Sequence, residues 1–206
     1  MMRRMSSSLH ERIAAVVPEL QGWCTVEKAC RLADLILETG PSLVVESGVF
    51  GGRSLIPQAM ALAEQRYGVI VGIDPWTPEA ALEGDVGEAN AEWWGSKVNL
   101  EDIYVGFIEQ VLKHRLTPHC SWVRRKSHEV TALFADESID VFHQDSNHSE
   151  LVSCREVTSW RGKLKPQGTW ILDDCDWPTQ KRAVELIQES GFRVVEDHTT
   201  WMIFRR

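Results

Sequence analysis

The sequence predicts a doubly wound α/β fold, in which helices cover both faces of a mainly parallel sheet. Short, wholly apolar segments alternate with longer segments of helical periodicity, as expected for buried parallel strands joined by crossover helices. Some of the apolar segments lead into a glycine-rich turn or an acidic residue, and such residues bind ligands at the carboxyl edge of a parallel sheet. The chain has 206 residues, of which 43% are apolar, so residues 1–206 are predicted to form one domain.

The helical and strand segments follow one another in a regular order. Apolar residues recur at helical spacing within residues 1–40, and Gly40-Pro41 is typical of a helix end. Seven strands are predicted, at 42–46, 69–74, 120–124, 139–142, 169–172, 193–196 and 200–204. Helices are predicted between them at 53–65, from about 128, at 150–163 and at 179–190.

The last two predicted strands are joined by only a few residues around Asp197-His198. A parallel connection needs a longer crossover, so the last strand is expected to run antiparallel to its neighbour. Together these segments indicate a Rossmann-like sheet of seven strands, mainly parallel, with an antiparallel last strand and helices on both faces.

One segment, 77–118, interrupts the alternation. It contains Trp93-Trp94-Gly95 and an amphipathic stretch from Ile103 to Leu112. We expect it to form helices, inserted after the second strand, that close over a substrate as a lid. Its aromatic residues suit a sugar, a phenol or a polyketide alike, so the pattern does not identify the substrate.

The composition argues against several classes of protein. A net charge of −8 and a pI near 5.4 disfavour a nucleic-acid partner, because phosphate binding needs clustered basic residues. No apolar segment approaches the roughly 18 residues of a membrane span. The five cysteines are scattered and lack a CxxC motif, which favours reduced thiols and a cytoplasmic location over disulfides or zinc. A homo-oligomer stays an open alternative.

A glycine-rich turn, Glu46-Ser-Gly-Val-Phe-Gly-Gly-Arg-Ser54, follows the first strand and opens a helix. Glycines there let the backbone approach a ligand closely, and Asp74 at the end of the second strand can accept both hydroxyls of a ribose. The order of strand, turn, helix and acid therefore predicts a nucleoside-binding site. Val49 and Phe50 make the turn wider than a pyrophosphate-binding turn, and a tight strand-to-helix connection is the alternative.

Three acids and a histidine follow the fourth and fifth predicted strands. Asp145 and Asp173 are about 28 residues apart, enough for a crossover helix and a second parallel strand, so they and Asp174 should meet at one sheet edge. Three carboxylates are hard oxygen ligands, which favour Mg²⁺ or Mn²⁺. His148 is then a candidate base. Alternatively, these residues cap helices. His143 is expected to be structural and to point to the opposite strand face.

Three motifs resemble those of a known family. Glu46-Ser-Gly-Val-Phe-Gly-Gly-Arg-Ser54 is similar to the first motif of class I S-adenosylmethionine-dependent methyltransferases, in the variant of metal-dependent small-molecule O-methyltransferases such as catechol O-methyltransferase. Asp145-Ser-Asn-His148-Ser-Glu resembles the Asp-Gly-Asp-His-Ser-Tyr signature of the macrocin and mycinamicin sugar O-methyltransferases. Lys165-Pro-Gln-Gly-Thr-Trp-Ile-Leu-Asp-Asp174 resembles their Lys-Pro-Gly-Gly strand, which ends in two aspartates. Ser146-Asn147 and Gln167 depart from these patterns.

The resemblance implies a role for each matching residue. The methionine portion of S-adenosylmethionine would be surrounded by Glu46, Gly48, Phe50 and Ser54, with Gly52 in the same turn. Its ribose would be held by Asp74. Its adenine would be flanked by Ser127 and His128. Trp76 would cover the adenine or, equally, be a core tryptophan that caps the second strand. The metal would be held by Asp145, Asp173 and Asp174, and the substrate proton would go to His148.

The principal hypothesis is an S-adenosylmethionine-dependent, Mg²⁺-dependent O-methyltransferase that acts on a hydroxyl of a small molecule, such as a sugar or natural product. Two alternatives use the same nucleoside site. One is a nicotinamide-dependent oxidoreductase, which the wide turn and the paired acids disfavour. The other is a nucleoside-binding module without catalytic activity, suggested by the departures at Ser146, Asn147 and Gln167.

Overall fold

The computed structural model describes residues 8–206. Its strands are β1 (Leu43–Ser47), β2 (Val69–Ile73), β3 (Cys120–Val123), β4 (Ile139–Gln144), β5 (Leu164–Asp173), β6 (Arg193–Asp197) and β7 (Trp201–Arg205). They form one sheet in the order β3-β2-β1-β4-β5-β7-β6. Strands β1 to β5 are parallel to one another, whereas β7 pairs antiparallel with β5 and β6. The mainly parallel seven-stranded sheet with an antiparallel last strand is confirmed.

Helices cover both faces of this sheet. They are α1 (Leu9–Val16), α2 (Val26–Thr39), α3 (Leu55–Gln65), α4 (Pro78–Ala81), α5 (Glu88–Glu92), α6 (Leu100–Lys113), α7 (Glu150–Trp160) and α8 (Lys181–Glu189). The core on one face contains Leu32 of α2 and Phe107 of α6. On the other face, Trp160 of α7 stacks on Phe142 of β4, and Ile187 of α8 packs beside them. The doubly wound arrangement follows because the central strands β1 and β4 are buried on both sides.

Two predicted elements differ from the structure. The helix expected from residue 128 is instead a pair of 3₁₀ turns, Ser127–Glu129 and Thr131–Leu133. This link between β3 and β4 is anchored by Val130 and Phe134, which are buried in the core. Strand β5 also begins earlier than residue 169, because Leu164 pairs with Ile139 before a register shift.

Helix α2 carries the N-terminal part of the chain to the carboxyl edge of the sheet. Its first turn is capped by Thr25, whose Oγ1 accepts a hydrogen bond from the backbone N–H of Lys28 at 3.1 Å. Its end is set by Gly40, which has the left-handed backbone (φ 57°) that ends many helices. Residues 1–7 of the predicted N-terminal helical segment lie outside the described residues.

The segment 77–118 is helical, as its periodicity predicts. It consists of α4, α5, a π turn at Trp93–Lys97 and α6. Helix α6 buries Phe107 and Val111 against the sheet and is the crossover that the parallel strands β2 and β3 require. The part that extends over the carboxyl edge is therefore 77–99.

Two further predictions concern the chain as a whole. Between residues 8 and 206, no helix has both the length and the apolar character needed to cross a membrane. The five cysteines have free thiols. Burial raises the pKa of the Cys24 thiol to about 12, so this cysteine is a weak nucleophile although it lies beside the site described below.

Candidate active site

A cavity of about 1100 Å³ opens at the carboxyl edge of the parallel strands, where ligands bind in doubly wound folds. Its wall combines the turns after β1, β2, β3, β4 and β5 with the start of α2 and parts of the segment 77–99. Eleven of the residues predicted from the sequence line it: Gly48, Phe50, Ser54, Asp74, Trp76, Ser127, His128, Asp145, His148, Asp173 and Asp174. Two others, Glu46 and Gly52, lie outside this wall.

The glycine turn touches the loop that follows β4. Gly48 has a positive φ of 86°, and a Cβ atom there would lie 2.0 Å from the backbone oxygen of Asp145. Only glycine combines this backbone conformation with such a close approach. The turn after β1 and the acidic loop after β4 are therefore in direct contact, which places the predicted cofactor and metal residues at one site.

Glu46 and Gly52 stabilise the glycine turn without lining the cavity. Glu46 is fully buried and accepts hydrogen bonds from Ser54 Oγ at 2.7 Å and Gln58 Nε2 at 2.6 Å. A Cβ atom on Gly52 would lie 2.7 Å from the ring of Phe107, so this glycine lets the turn pack on α6. Both residues shape the cavity without lining it.

Asp74 holds the glycine turn through backbone hydrogen bonds. Its Oδ2 accepts from the N–H groups of Val49 at 2.9 Å and Phe50 at 3.0 Å, and its Oδ1 accepts from that of Trp76 at 2.7 Å. Burial raises the pKa of Asp74, and these three hydrogen bonds oppose the rise. Asp74 thus sets the shape of the turn while it faces the cavity.

Ser127 and His128 line the same cavity as Asp74 and lie on the 3₁₀ turn after β3. Ser127 is fixed there because its Oγ accepts a 2.7 Å hydrogen bond from the indole of Trp160. Trp76 is only 2% exposed, its ring stacks on Phe107, and it belongs to the core on that face of the sheet. Trp76 is therefore both a core residue of this face and part of the cavity wall.

The acidic residues at the other end of the cavity form two overlapping groups. Donor atoms of Asp145, His148 and Asp174 lie within 4.8 Å of one another, and so do those of His143, Asp145 and Asp173. His148 Nε2 lies 2.8 Å from Asp174 Oδ2 and 3.8 Å from Asp145 Oδ1. Asp173 and Asp174 fall in different groups, so the structure does not gather the three predicted metal ligands around one point.

Asp173 is already paired with a cation. The ammonium of Lys28, from the first turn of α2, donates to both of its carboxylate oxygens. Burial alone would raise the pKa of Asp173, but Lys28 and a hydrogen bond from His143 hold that pKa below its ordinary value. Sequence patterns do not indicate Lys28, because it lies on α2 and is 145 residues from its partner Asp173 in the chain.

His143 is not on the opposite face from the acids, which corrects the expectation from the sequence. It is fully buried, with Nδ1 3.0 Å from Glu46 Oε2 and Nε2 3.0 Å from Asp173 Oδ2. Burial would lower its pKa, but these two carboxylates raise the pKa of His143 to about 10. Residues two apart on a strand share a face, so its spacing from Asp145 already contained this information.

A chain of hydrogen bonds leads to His148. Gln144 Nε2 donates to the backbone oxygen of Ser153 at 3.1 Å and to its Oγ at 2.9 Å, so the Ser153 hydroxyl donates in turn to Gln180 Oε1. The amide nitrogen of Gln180 then donates to His148 Nδ1 at 3.0 Å. Because Nδ1 accepts, the neutral imidazole carries its hydrogen on Nε2 and donates it to Asp174.

Asn147 ties the same loop to the segment above it. Its Nδ2 donates to the backbone oxygens of Ala80, Ala81 and Glu83 at 2.9–3.0 Å. The side chain of Glu83 in turn pairs with Lys126 and Arg155, both at 2.6 Å. These contacts fix α4 over the cavity and leave the amide nitrogen of Asn147 engaged by protein.

An aromatic cluster stands at the mouth of the cavity. Phe50 and three tryptophans, Trp23, Trp93 and Trp94, have ring centroids 4.7–6.1 Å apart. Trp23 is 69% exposed, which is unusual for so large a ring. The cluster joins the N-terminal segment, the glycine turn and the segment 77–99 around one opening.

Comparisons with known proteins agree with this geometry. Residues 45–175 match a family described as a methyltransferase domain, whereas no curated protein matches the sequence. The structure of the O-methyltransferase NovP is similar, with a TM-score of 0.69 at 15% identity and 96% of each chain covered.

Two further solved structures are similar, and both contain S-adenosylhomocysteine (SAH). A methyltransferase from Podospora anserina has a TM-score of 0.64 at 9% identity, with 97% of this chain and 88% of that chain covered. An O-methyltransferase from Bacillus cereus has a TM-score of 0.61 at 13% identity, with 100% and 94% covered. At such low identities the likeness demonstrates a common fold and no more.

The family match extends over most of the cavity wall. It includes the glycine turn, Asp74, Ser127, His128 and the acidic residues that end β4 and β5. The strand order and the antiparallel last strand are those that the class I fold requires. The chain therefore belongs to this methyltransferase family and is a class I S-adenosylmethionine-dependent methyltransferase.

Proposed function

We propose that the protein transfers the methyl group of S-adenosylmethionine to a hydroxyl of a small molecule, such as a sugar or another natural product. The contact between Gly48 and the Asp145 loop supports this most directly. It brings the cofactor turn against the acidic end of the same cavity, as a reaction between two bound substrates requires.

On the cofactor side, we assign the methionine portion to the turn that contains Gly48, Phe50 and Ser54. Asp74 would accept the ribose hydroxyls, since its carboxylate faces the cavity and already orders the turn. Ser127 and His128 would flank the adenine. Glu46 accepts a hydrogen bond from the Ser54 hydroxyl and so fixes its position.

On the acceptor side, we assign the reacting hydroxyl to the region of Asp145, His148 and Asp174. The hydroxyl oxygen attacks the sulfonium methyl, a C–O bond forms as the S–C bond breaks, and SAH leaves. We assign to His148 the role of receiving the hydroxyl proton. It can accept at Nε2 only as the tautomer with hydrogen on Nδ1, so the amide of Gln180 must then present its oxygen to the ring.

A divalent metal fits this end of the cavity less well than the motifs predict. Three carboxylates are suitable oxygen donors, yet both oxygens of Asp173 are bonded to Lys28, and one also accepts from His143. Burial and the neighbouring Asp173 also raise the pKa of Asp145 well above its ordinary range. The hydrogen of His148 Nε2 points to Asp174. The mechanism proposed here therefore has no metal step.

Calorimetric titration with SAH tests this function. We expect one site per chain with a dissociation constant of about 1–100 µM, equivalent to roughly 5–8 kcal/mol. Methyl transfer is then measured as SAH released when labelled cofactor is incubated with hydroxylated sugars and phenols. Absence of SAH binding at millimolar ligand, together with binding of reduced nicotinamide cofactor, would favour an oxidoreductase instead.

A further inference from the structure

We propose that the ammonium of Lys28 is the resident cation of the acidic cluster, defined here as Glu46, Asp145 and Asp173, and that it takes the place of a divalent metal. The proposal rests on the proposed function only where it gives Lys28 a role in catalysis. Whether the cluster accepts a metal is a separate property and can be measured without any methyl acceptor.

The position of Lys28 is built into the fold. Its backbone N–H is bonded to Thr25 in the first turn of α2, and its side chain is only 11% exposed. The ammonium lies 5.5 Å from the ring centre of Trp201 and bonds both oxygens of Asp173. A buried lysine needs a charged partner, and this geometry provides one from the opposite end of the chain.

Most of the negative charge of the cluster is offset without an additional ion. His143 lies between Glu46 and Asp173 at 3.0 Å from each, and Lys28 neutralises the outer side of Asp173. Two cationic side chains therefore face three carboxylates in a largely buried region. A divalent cation would have to displace Lys28, because like charges this close repel strongly where water is excluded.

Lys28 also faces the cavity, where a cation is useful to the reaction. An ammonium has three N–H donors, and two of those of Lys28 are directed to Asp173. The remaining donor is available to the oxygen of a bound acceptor. A fixed positive charge beside that oxygen favours the charge that develops as its proton leaves.

The source of this cation explains why sequence motifs point to a metal. The acids lie within residues 45–175, the region that matches the methyltransferase family. Lys28 lies before that region, on the helix that the N-terminal segment adds to the sheet edge. A motif that contains the carboxylates alone does not include the group that neutralises them.

Manganese titration of the purified protein tests the proposal, with bound Mn²⁺ read by electron paramagnetic resonance. The variants are Lys28→Met, which keeps the chain length but removes the charge, and Lys113→Met as a control, since Lys113 forms an exposed pair with Glu19. The wild type and the control should bind Mn²⁺ with a dissociation constant above about 1 mM. Lys28→Met should bind it at least tenfold more tightly.

Several outcomes would overturn the proposal. One is wild-type binding of one Mn²⁺ per chain below about 100 µM, which decides the matter even if Lys28→Met does not fold. Another is a folded Lys28→Met that binds no more tightly than the wild type, because Lys28 would then not be what excludes the ion. SAH titration of the same samples monitors the methyltransferase function separately, so a failure of one hypothesis is not mistaken for a failure of the other.

Discussion

The two ends of the cavity hold their acids in different ways. At the cofactor end, Asp74 is bonded to three backbone N–H groups from the glycine turn and the residues after β2. At the acceptor end, Asp173 and Asp174 are bonded to the side chains of Lys28, His143 and His148. The first arrangement is local and the second joins distant parts of the chain.

This difference separates binding from chemistry. Backbone N–H groups do not titrate, so the cofactor end keeps all of its hydrogen-bond donors as the pH changes. Side-chain partners can gain or lose protons and can exchange partners when a substrate arrives. We therefore expect substitutions at the cofactor end to change affinity, and those at the acceptor end to change the rate of methyl transfer.

The largest effect is expected where the two ends touch. Gly48→Ala places a Cβ atom 2.0 Å from the Asp145 backbone oxygen at a φ of 86°, which forces the turn and the acidic loop apart. SAH binding should fall by more than about 100-fold, a loss of roughly 3 kcal/mol. Gly106→Ala is the control, because a Cβ atom there meets no atom within 4 Å. Equal binding by both variants would contradict the close contact.

His148→Ala tests the acceptor end alone. SAH affinity should stay within about twofold of the wild type, while methyl transfer falls by roughly 10²–10⁴-fold, as is typical for removal of a general base. The measurement is SAH release under saturating cofactor, with His10→Ala as the control, since His10 forms an exposed pair with Asp34. Unchanged transfer would remove His148 from the mechanism.

Asp74→Asn should have the opposite pattern. The amide keeps one oxygen acceptor but loses the charge and one strong acceptor, so the turn is held less well. SAH affinity should fall by about 10–100-fold, equivalent to roughly 1.4–2.8 kcal/mol, while the rate at saturating cofactor changes little. A variant with normal affinity and a low rate would reverse the division between the two ends.

The same contrast explains which parts of this site the sequence predicts. The glycine turn and Asp74 are recognised because a strand, a turn and a second strand follow in a fixed order. The hydrogen-bond partners of Asp173 and His148 are not recognised from the sequence. Lys28 lies 145 residues from Asp173 in the chain, and Gln180 lies 32 residues from His148. His143 is an intermediate case. Its spacing of two residues from Asp145 indicates that both lie on the same face of the strand, but does not indicate its charged partners.

Gln180 offers a finer test of the acceptor end. In Gln180→Glu, a carboxylate replaces the amide donor at His148 Nδ1 while Asp174 remains at Nε2, so the ring should carry hydrogen on both nitrogens as an imidazolium. Nitrogen-15 NMR distinguishes the imidazolium from each neutral tautomer in the absence of any acceptor. Gln188→Glu, an exposed change on α8, should leave the wild-type Nε2–H form. Observation of Nδ1–H in the wild type would contradict the hydrogen-bond chain from Gln144.

The smallest effect concerns how α2 is held in place to deliver Lys28. One turn after Lys28, Arg31 donates to Glu196 on β6 at 2.5 Å and 3.0 Å. The Arg31 hydrogen bond lowers the pKa of Glu196 to about 2. Because that pKa lies below the unfolded value of about 4.3, the pair contributes fully above about pH 4.3 and loses its contribution as the pH falls toward 2.

The Glu196 side chain is 27% exposed, so screening by solvent limits this contribution to a few tenths of a kcal/mol, up to about 1 kcal/mol. Glu196→Gln should therefore lower the free energy of unfolding slightly at pH 7 and should match the wild type near pH 2, as judged by urea denaturation. Glu109→Gln, an exposed change on α6, should have no such pH-dependent difference. If Glu196→Gln also bound Mn²⁺ more tightly than the wild type, the position of α2 and of the Lys28 ammonium would depend on the Arg31–Glu196 pair. If Mn²⁺ binding did not change, packing of α2 on α3 would suffice to hold the ammonium at Asp173.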